Sequence, residues 1–154
     1  MELGLIVITA LFIAMVLELT LIIWCSRSYV FKSADPGEDI KTISEKVANR
    51  ALTFGGLIFA AIALLIGISI DNITSIQSVL FVLSYSFSLS LLSYKLEVLT
   101  GYRRVYWIVQ DKLLSYAFLA LLVSLILFFL NRIFDLTFIL LTAAENTARS
   151  VASA

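Results

Sequence analysis

The chain has 154 residues, 61% of them hydrophobic and only 14% charged, with a formal net charge of zero; a water-soluble domain of this length needs far more charge to cover its surface. It has no histidine and a single cysteine, Cys25, which excludes an internal disulfide framework, cysteine-based zinc or iron–sulfur sites, histidine-ligated haem and the usual general acid–base group. No basic block stands out, so a nucleic-acid partner has no electrostatic support.

A helical span needs roughly 20 mostly apolar residues to cross about 30 Å of hydrocarbon. Four stretches qualify, at about 3–24, 51–70, 76–94 and 113–130. None alternates as a barrel strand would, so each reads as a helix. The expectation is one all-α transmembrane domain over residues 1–154, an integral four-helix bundle with connecting segments at 25–50 and 95–112 and a segment 131–154 after the fourth span. Lysine and arginine set the direction. Arg27, Lys32, Lys41, Lys46 and Arg50 lie in the first connection and Lys95, Arg103, Arg104 and Lys112 in the third, whereas the turn at 71–75 has none and the tails hold only Arg132 and Arg149. This places both termini on the non-cytoplasmic side. Tyr29, Tyr94, Tyr102, Tyr106 and Trp107 fall at the inner boundary as interfacial anchors.

The first stretch has no positive leader and is too long for a signal core, so it reads as a retained span. It holds Glu18, the one ionisable residue inside a span. Carboxylates at this depth are costly and usually face protein or a wet cavity. Ala10 and Ala14 precede Glu18 on the same face and would let another helix come close. Glu18 lies about 22 Å into the span at roughly 1.5 Å per residue. Ser86, Ser90 and Tyr116 fall at a comparable level, but no lysine or arginine does, so the carboxyl is expected to hold a proton unless a cation or partner chain compensates. Cys25, at the inner boundary, reads as a plain interfacial thiol, with acylation as the alternative.

In the first connection Asp35-Pro36-Gly37-Glu38 is a helix-start pattern, with Asp35 as N-cap and Glu38 as its reciprocal partner. Ile40, Ile43, Val47 and Ala51 then recur at helical spacing, which predicts an amphipathic inner helix running into the second span, with a bend at Gly55-Gly56. It reads either as a lead-in resting on headgroups or as a docking surface for a cytoplasmic partner. The second span carries Gly56-x-x-x-Ala60 and Ala63-x-x-x-Gly67, spacings that favour close helix approach. Asn72-Ile73-Thr74 is a sequon too near the membrane to expect modification.

The third span is serine-rich. Ser86, Ser90, Ser93 and Glu97 form a stripe that either lines a path for a proton or cation together with Glu18, or cements helix contacts. The third connection mixes Arg103 and Arg104 with Tyr102, Tyr106, Trp107 and Ile108, as an in-plane segment would; Arg103, Arg104 and Trp107 are candidate contacts to anionic headgroups. After Arg132 an apolar run too short to span again, 133–141, either prolongs the fourth helix or lies along the outer surface, and its apolar face needs lipid or protein to cover it.

No nucleophile–base pair is legible, and Asp71 and Asp135 lack ligand spacing, so no catalytic, cofactor or metal site is expected. The polar candidates are Glu18, Ser86, Ser90, Ser93 and Tyr116. The expected partners are membrane lipids and other integral membrane subunits, or copies of the chain itself. The leading functional reading is a non-catalytic accessory subunit of a larger membrane complex. The alternative is a homo-oligomeric cation or proton channel or carrier using Glu18 and the serine stripe.

Overall fold

A computed structural model describes residues 2–25, 27, 40–68, 73–100 and 104–152, and within them the chain is entirely helical. Four helices follow one another: α1 (Glu2–Cys25), α2 (Ile40–Ile68), α3 (Ile73–Thr100) and α4 (Arg104–Ala152). Each contains a stretch long and apolar enough to cross a membrane: Leu3–Cys25, Lys41–Gly67, Ile76–Leu99 and Val105–Glu145. This is the architecture of a multi-pass membrane protein. None of the four helices as described contains a proline, so none of them is interrupted by one in the ladder of backbone hydrogen bonds that hydrocarbon requires to be satisfied internally.

Small and hydroxylated residues share the interior with Ile58, Val79, Val82, Leu83 and Leu127, while the bulk of the leucine, isoleucine and phenylalanine faces outward. Ala48, Ala51, Ala117, Ala120, Ser44, Ser86, Ser90, Ser93, Ser124 and Gln110 are buried, while Leu5, Leu57, Phe59 and Leu64 are more than 60% exposed. In lipid, tails are as apolar as leucine, so association rests on close packing and interhelical hydrogen bonds rather than on hiding apolar surface.

The framework is the α3–α4 hairpin. The buried positions of α3 that face α4 are Ile76, Val79, Leu83, Ser86, Ser90 and Ser93, with Val82 and Leu89 buried beside them, and those on α4 are Gln110, Leu113, Ala117, Ala120, Ser124 and Leu127. Both stripes step by three and four residues, the spacing of a knobs-into-holes seam. Ser93 bonds the Gln110 carbonyl and Ser86 the Ala117 carbonyl, so seven residues back along α3 correspond to seven forward along α4. The same register sets Ser90 opposite Leu113, Leu83 opposite Ala120, Val79 opposite Ser124 and Ile76 opposite Leu127. Helices α1 and α2 each pack on both members of this hairpin and at most marginally on each other. Of the most apolar window in each helix, 44% is buried in α3 and 6% in α1, which makes α3 the centre and α1 the most peripheral element.

Three expectations change. The lead-in to α2 does not rest on headgroups apart from the bundle: over Ser44–Ala51 one of its faces packs inside the chain, while the face with Lys46, Asn49 and Arg50 stays exposed. Ser44, Val47, Ala48 and Ala51 are buried in the chain's own bundle, whereas Ile43 is 44% exposed; a small hydroxyl fits the seam where a branched side chain does not. Gly55-Gly56 lies within unbroken helix, and the Pro36 helix start falls outside the described residues. The third connection is not an in-plane segment: α3 runs to Thr100 and α4 starts at Arg104, because Ser93 and Gln110 continue the seam beyond the most hydrophobic part of each helix. Finally, the small-residue pairs of α2 do not seat a helix of this chain. Gly56, Ala60, Ala63 and Gly67 are all exposed, and a Cβ added at Gly56 or Gly67 would meet nothing within 4 Å.

The end of α4 is the most conspicuous departure from a compact bundle. Thirteen residues before Ser86 is Ile73, where α3 begins, and thirteen after Ala117 is Leu130. Helix α4 does not stop there but continues unbroken to Ala152, roughly 33 Å beyond the start of α3 at about 1.5 Å per residue.

Candidate functional site

The polar groups that the sequence singles out separate into two constellations. The first is a dry seam on α3. Ser86 donates to the carbonyl of Ala117 on α4 at 2.5 Å, Ser90 to the carbonyl of Ala51 on α2 at 2.5 Å, and Ser93 to the carbonyl of Gln110 on α4 at 2.8 Å. All three side chains are fully buried. Helix α3 thus hands one hydroxyl to α2 and two to α4, and the three are engaged in cementing helix contacts. Ser88, off the stripe, only bonds the Ser84 carbonyl within its own helix.

Gln110 completes this seam. Its Oε1 accepts from the Ser44 hydroxyl at 2.9 Å and its Nε2 donates to the Ser44 carbonyl at 3.3 Å, while its own carbonyl accepts from Ser93. One fully buried amide therefore ties α2, α3 and α4 at a single level. A buried polar side chain at a seam position penalises every register that leaves it unpaired. Neither Gln110 nor Ser44 was among the sequence candidates, since both lie where hydropathy falls off. The signal that marks Gln110 is the three–four spacing of Gln110, Leu113, Ala117, Ala120, Ser124 and Leu127, which a hydropathy average erases.

The second constellation joins α1 to α4. Glu18 forms an ion pair with Lys112, and the Tyr116 hydroxyl is a second hydrogen-bond partner of the same carboxylate. Lys112 and Tyr116 are one turn apart on α4 and so present to one face. The expectation that no cation shares the level of Glu18 is overturned: Lys112 starts near the boundary, but its four-carbon stem carries the ammonium along the helix surface to the carboxylate. The expected proximity of Tyr116 holds. The pair sits in an open groove, with the lysine side chain 28% and the glutamate side chain 39% exposed. Ala10 and Ala14 are exposed, so Glu18 reaches protein through α4 and not through a helix laid on that alanine face. The close approach on α1 is made by Gly4, where an added Cβ would come within 2.9 Å of the Ser78 carbonyl oxygen. Glu18 and the serine stripe are thus separate structures, each with its own partners.

The remaining candidates lie at the end of the bundle that carries Lys95 and Lys112, here called the basic end. Arg103 falls outside the described residues, and Arg104 is the first residue of α4. Trp107 is half-buried, and its indole N–H is buried without an acceptor among the described residues, as is the hydroxyl of Tyr85. The thiol of Cys25 is exposed. Compared with protein-family profiles, curated proteins and solved structures, the chain matches none. Functional inference therefore rests on this geometry.

Proposed function

We propose that the chain is a non-catalytic structural subunit of a larger membrane assembly, with both termini on the non-cytoplasmic side and the basic end of the bundle in the cytoplasmic leaflet. The observation that carries this reading is the overrun of α4. Past Leu130 its residues Ile133, Phe134, Leu136, Phe138, Ile139, Leu140 and Leu141 are each 56–70% exposed, with no other described helix of the chain level with them. Within a span such exposure is what lipid favours. Helix α3, with 28 residues, is already about 42 Å long and more than spans the roughly 30 Å of hydrocarbon, so the overrun stands where water would otherwise meet a broad apolar surface. Leaving one large apolar side chain in water rather than burying it costs about 1.5–3 kcal/mol, and contiguous patches of this kind mark interaction surfaces. The engaged serines and the paired Glu18 support the same reading, because they supply cohesion within the chain rather than groups free to bind a moving ion.

The test is extraction in mild detergent followed by affinity capture of the tagged, full-length chain. Co-purification of another integral membrane protein in fixed ratio is the expected result. Replacing Phe134, Phe138 and Leu141 with serine should release that partner while leaving the bundle folded. A monodisperse, folded monomer, or a homo-oligomer alone that conducts cations after reconstitution, would overturn the proposal.

A further inference from the structure

Helix α2 carries a second feature that the packing of the bundle does not use: an arginine set into its lipid-facing side above an apolar groove. Asn49, Arg50, Thr53, Phe54 and Leu57 line a shallow groove of about 400 Å³. These residues lie on one face of the helix, and Lys46, one turn before Arg50, shares it. Arg50 and Lys46 are both exposed, and neither meets a carboxylate among the described residues; the one acidic neighbour, Glu45, lies on another face and pairs with Lys41 at 4.0 Å.

The depth of Arg50 follows from contacts between α2 and α4. Ser44 lies level with Gln110, and the ring of Phe54 packs on that of Phe118 with centroids 5.7 Å apart. Arg50 is therefore level with about Ser115, inside the apolar run at its basic edge. An uncompensated cation on the lipid face at that level is costly, and its side chain leans back towards the start of α2, the direction of the leaflet's phosphates. Below it the groove turns apolar. Thr53 bonds the Asn49 carbonyl of its own helix at 2.9 Å, which satisfies its hydroxyl, and Phe54 and Leu57 continue away from the basic end. Cations and an amide at the head and hydrocarbon along the foot match the order of groups in a phospholipid.

We propose that this groove is a seat for an acidic phospholipid, whose phosphodiester is held by the Arg50 fork, with Lys46 and Asn49 beside it and an acyl chain laid along Phe54 and Leu57. The planar guanidinium suits two-point phosphate recognition, and the second cation favours a headgroup with net negative charge over a zwitterionic one. A comparable groove on α1, of about 420 Å³ and lined by Thr20, Ile23, Trp24 and Arg27, provides an internal control. Its arginine, 23 residues past Gly4, which packs on Ser78, is level with the last turn of α3 at the basic end and so lies outside the apolar run.

Native mass spectrometry of the full-length protein in detergent, with equimolar phosphatidylglycerol and phosphatidylcholine, tests the proposal. Retention of one phosphatidylglycerol in preference to phosphatidylcholine is expected, with Arg50→Gln reducing that preference about tenfold, the scale of one charge-assisted contact. Arg27→Gln should change it less than about twofold on the same scale. Glycerol phosphate, which has the anion but no acyl chain, should not compete. Equal retention of the two lipids, equal loss in the two arginine variants, or full competition by glycerol phosphate would each overturn the seat. Leu57→Ser, which leaves every cation in place, should lower retention of both lipids and guards against an Arg50 variant that fails to fold.

Discussion

The sharpest test of the helix arrangement is a single methyl group placed at two glycines. At Gly4 an added Cβ would lie 2.9 Å from the carbonyl oxygen and 3.0 Å from the Cα of Ser78, and 3.3 Å from its Cβ. Two of those three atoms are backbone, and ordinary contacts between carbon atoms are about 3.5–4.0 Å. Helix α1 would have to retreat from α3 by about half an ångström, loosening the larger of the two interfaces that hold this peripheral helix. Overpacking of this kind costs about 1–3 kcal/mol. Alanine's better helix propensity returns at most about 1 kcal/mol, and less here because Gly4 is in the first turn. The net expectation for Gly4→Ala is a loss of about 1–2 kcal/mol, a five- to thirtyfold shift in the folded-to-unfolded ratio. At Gly56 the same methyl meets nothing within 4 Å, and only the propensity gain of up to about 1 kcal/mol remains. Unfolding by titration with sodium dodecyl sulfate from mild micelles, followed by Trp24 and Trp107 fluorescence, reads both. A Gly4→Ala variant as stable as the parent, together with a destabilised Gly56→Ala, would refute the placement of α1 and α2.

Three further outcomes follow from the same geometry. Ser90→Ala, which breaks the bond to Ala51 across two helices, should cost about 0.6 kcal/mol and at most about 1.7, whereas Ser88→Ala, whose bond stays within its own helix, should cost close to nothing by the same titration; equal losses would contradict the seam. Gln110→Leu should destabilise by about 1–3 kcal/mol because it removes both bonds between the buried amide and Ser44. The double variant with Ser44→Ala should recover part of that loss in a double-mutant cycle, and strictly additive losses would rule the contact out. Glu18→Lys should lower stability by setting two ammonium groups in one groove, and adding Lys112→Glu should restore most of it; a double variant no better than the single would remove the pair as the link between α1 and α4.

The number of spans and their helical nature were legible because lipid imposes them through bulk hydropathy, which a sequence displays directly; their limits were not, since the second and fourth apolar helices cover Lys41–Gly67 and Val105–Glu145 rather than 51–70 and 113–130. The interior was only half legible. Ser86, Ser90 and Ser93 stood out because they recur on one face of an otherwise apolar helix, and each bonds a carbonyl of a neighbouring helix. Gln110 and Ser44 were hidden by their position near the helix ends, where polar residues are unremarkable until a partner helix is known to reach them. Lys112 was missed for a different reason: its Cα belongs to the boundary and its ammonium does not, so a ranking by residue depth separates it from the carboxylate it meets. The alanines and glycines misled in the opposite direction. Small-residue spacing says that a helix could come close at Ala10, Ala14, Gly56 or Ala60, but only the three–four register of the neighbours decides which small residues are used, and those are Gly4, Ala51, Ala117 and Ala120.

The same residue types carry opposite meanings on the two sides of Leu130. Leu122, Leu125, Ile126 and Phe129 are 41–63% exposed within the bundle, yet they face hydrocarbon, where transfer to a protein partner gains little. Phe134, Phe138 and Leu141 are 69–70% exposed on a part of the helix that α1, α2 and α3 do not accompany, so the hydrophobic effect acts on them in full. Cohesion of the bundle therefore combines close packing with polar ties between helices at Gln110, the α3 serines and the Glu18–Lys112 pair. In the proposed assembly, contact with a protein partner is apolar and uses the stretch of α4 past Leu130. These two functions use different chemistry on different stretches of one helix, and serine substitutions past Leu130 should abolish assembly without loosening the seam that begins at Gln110.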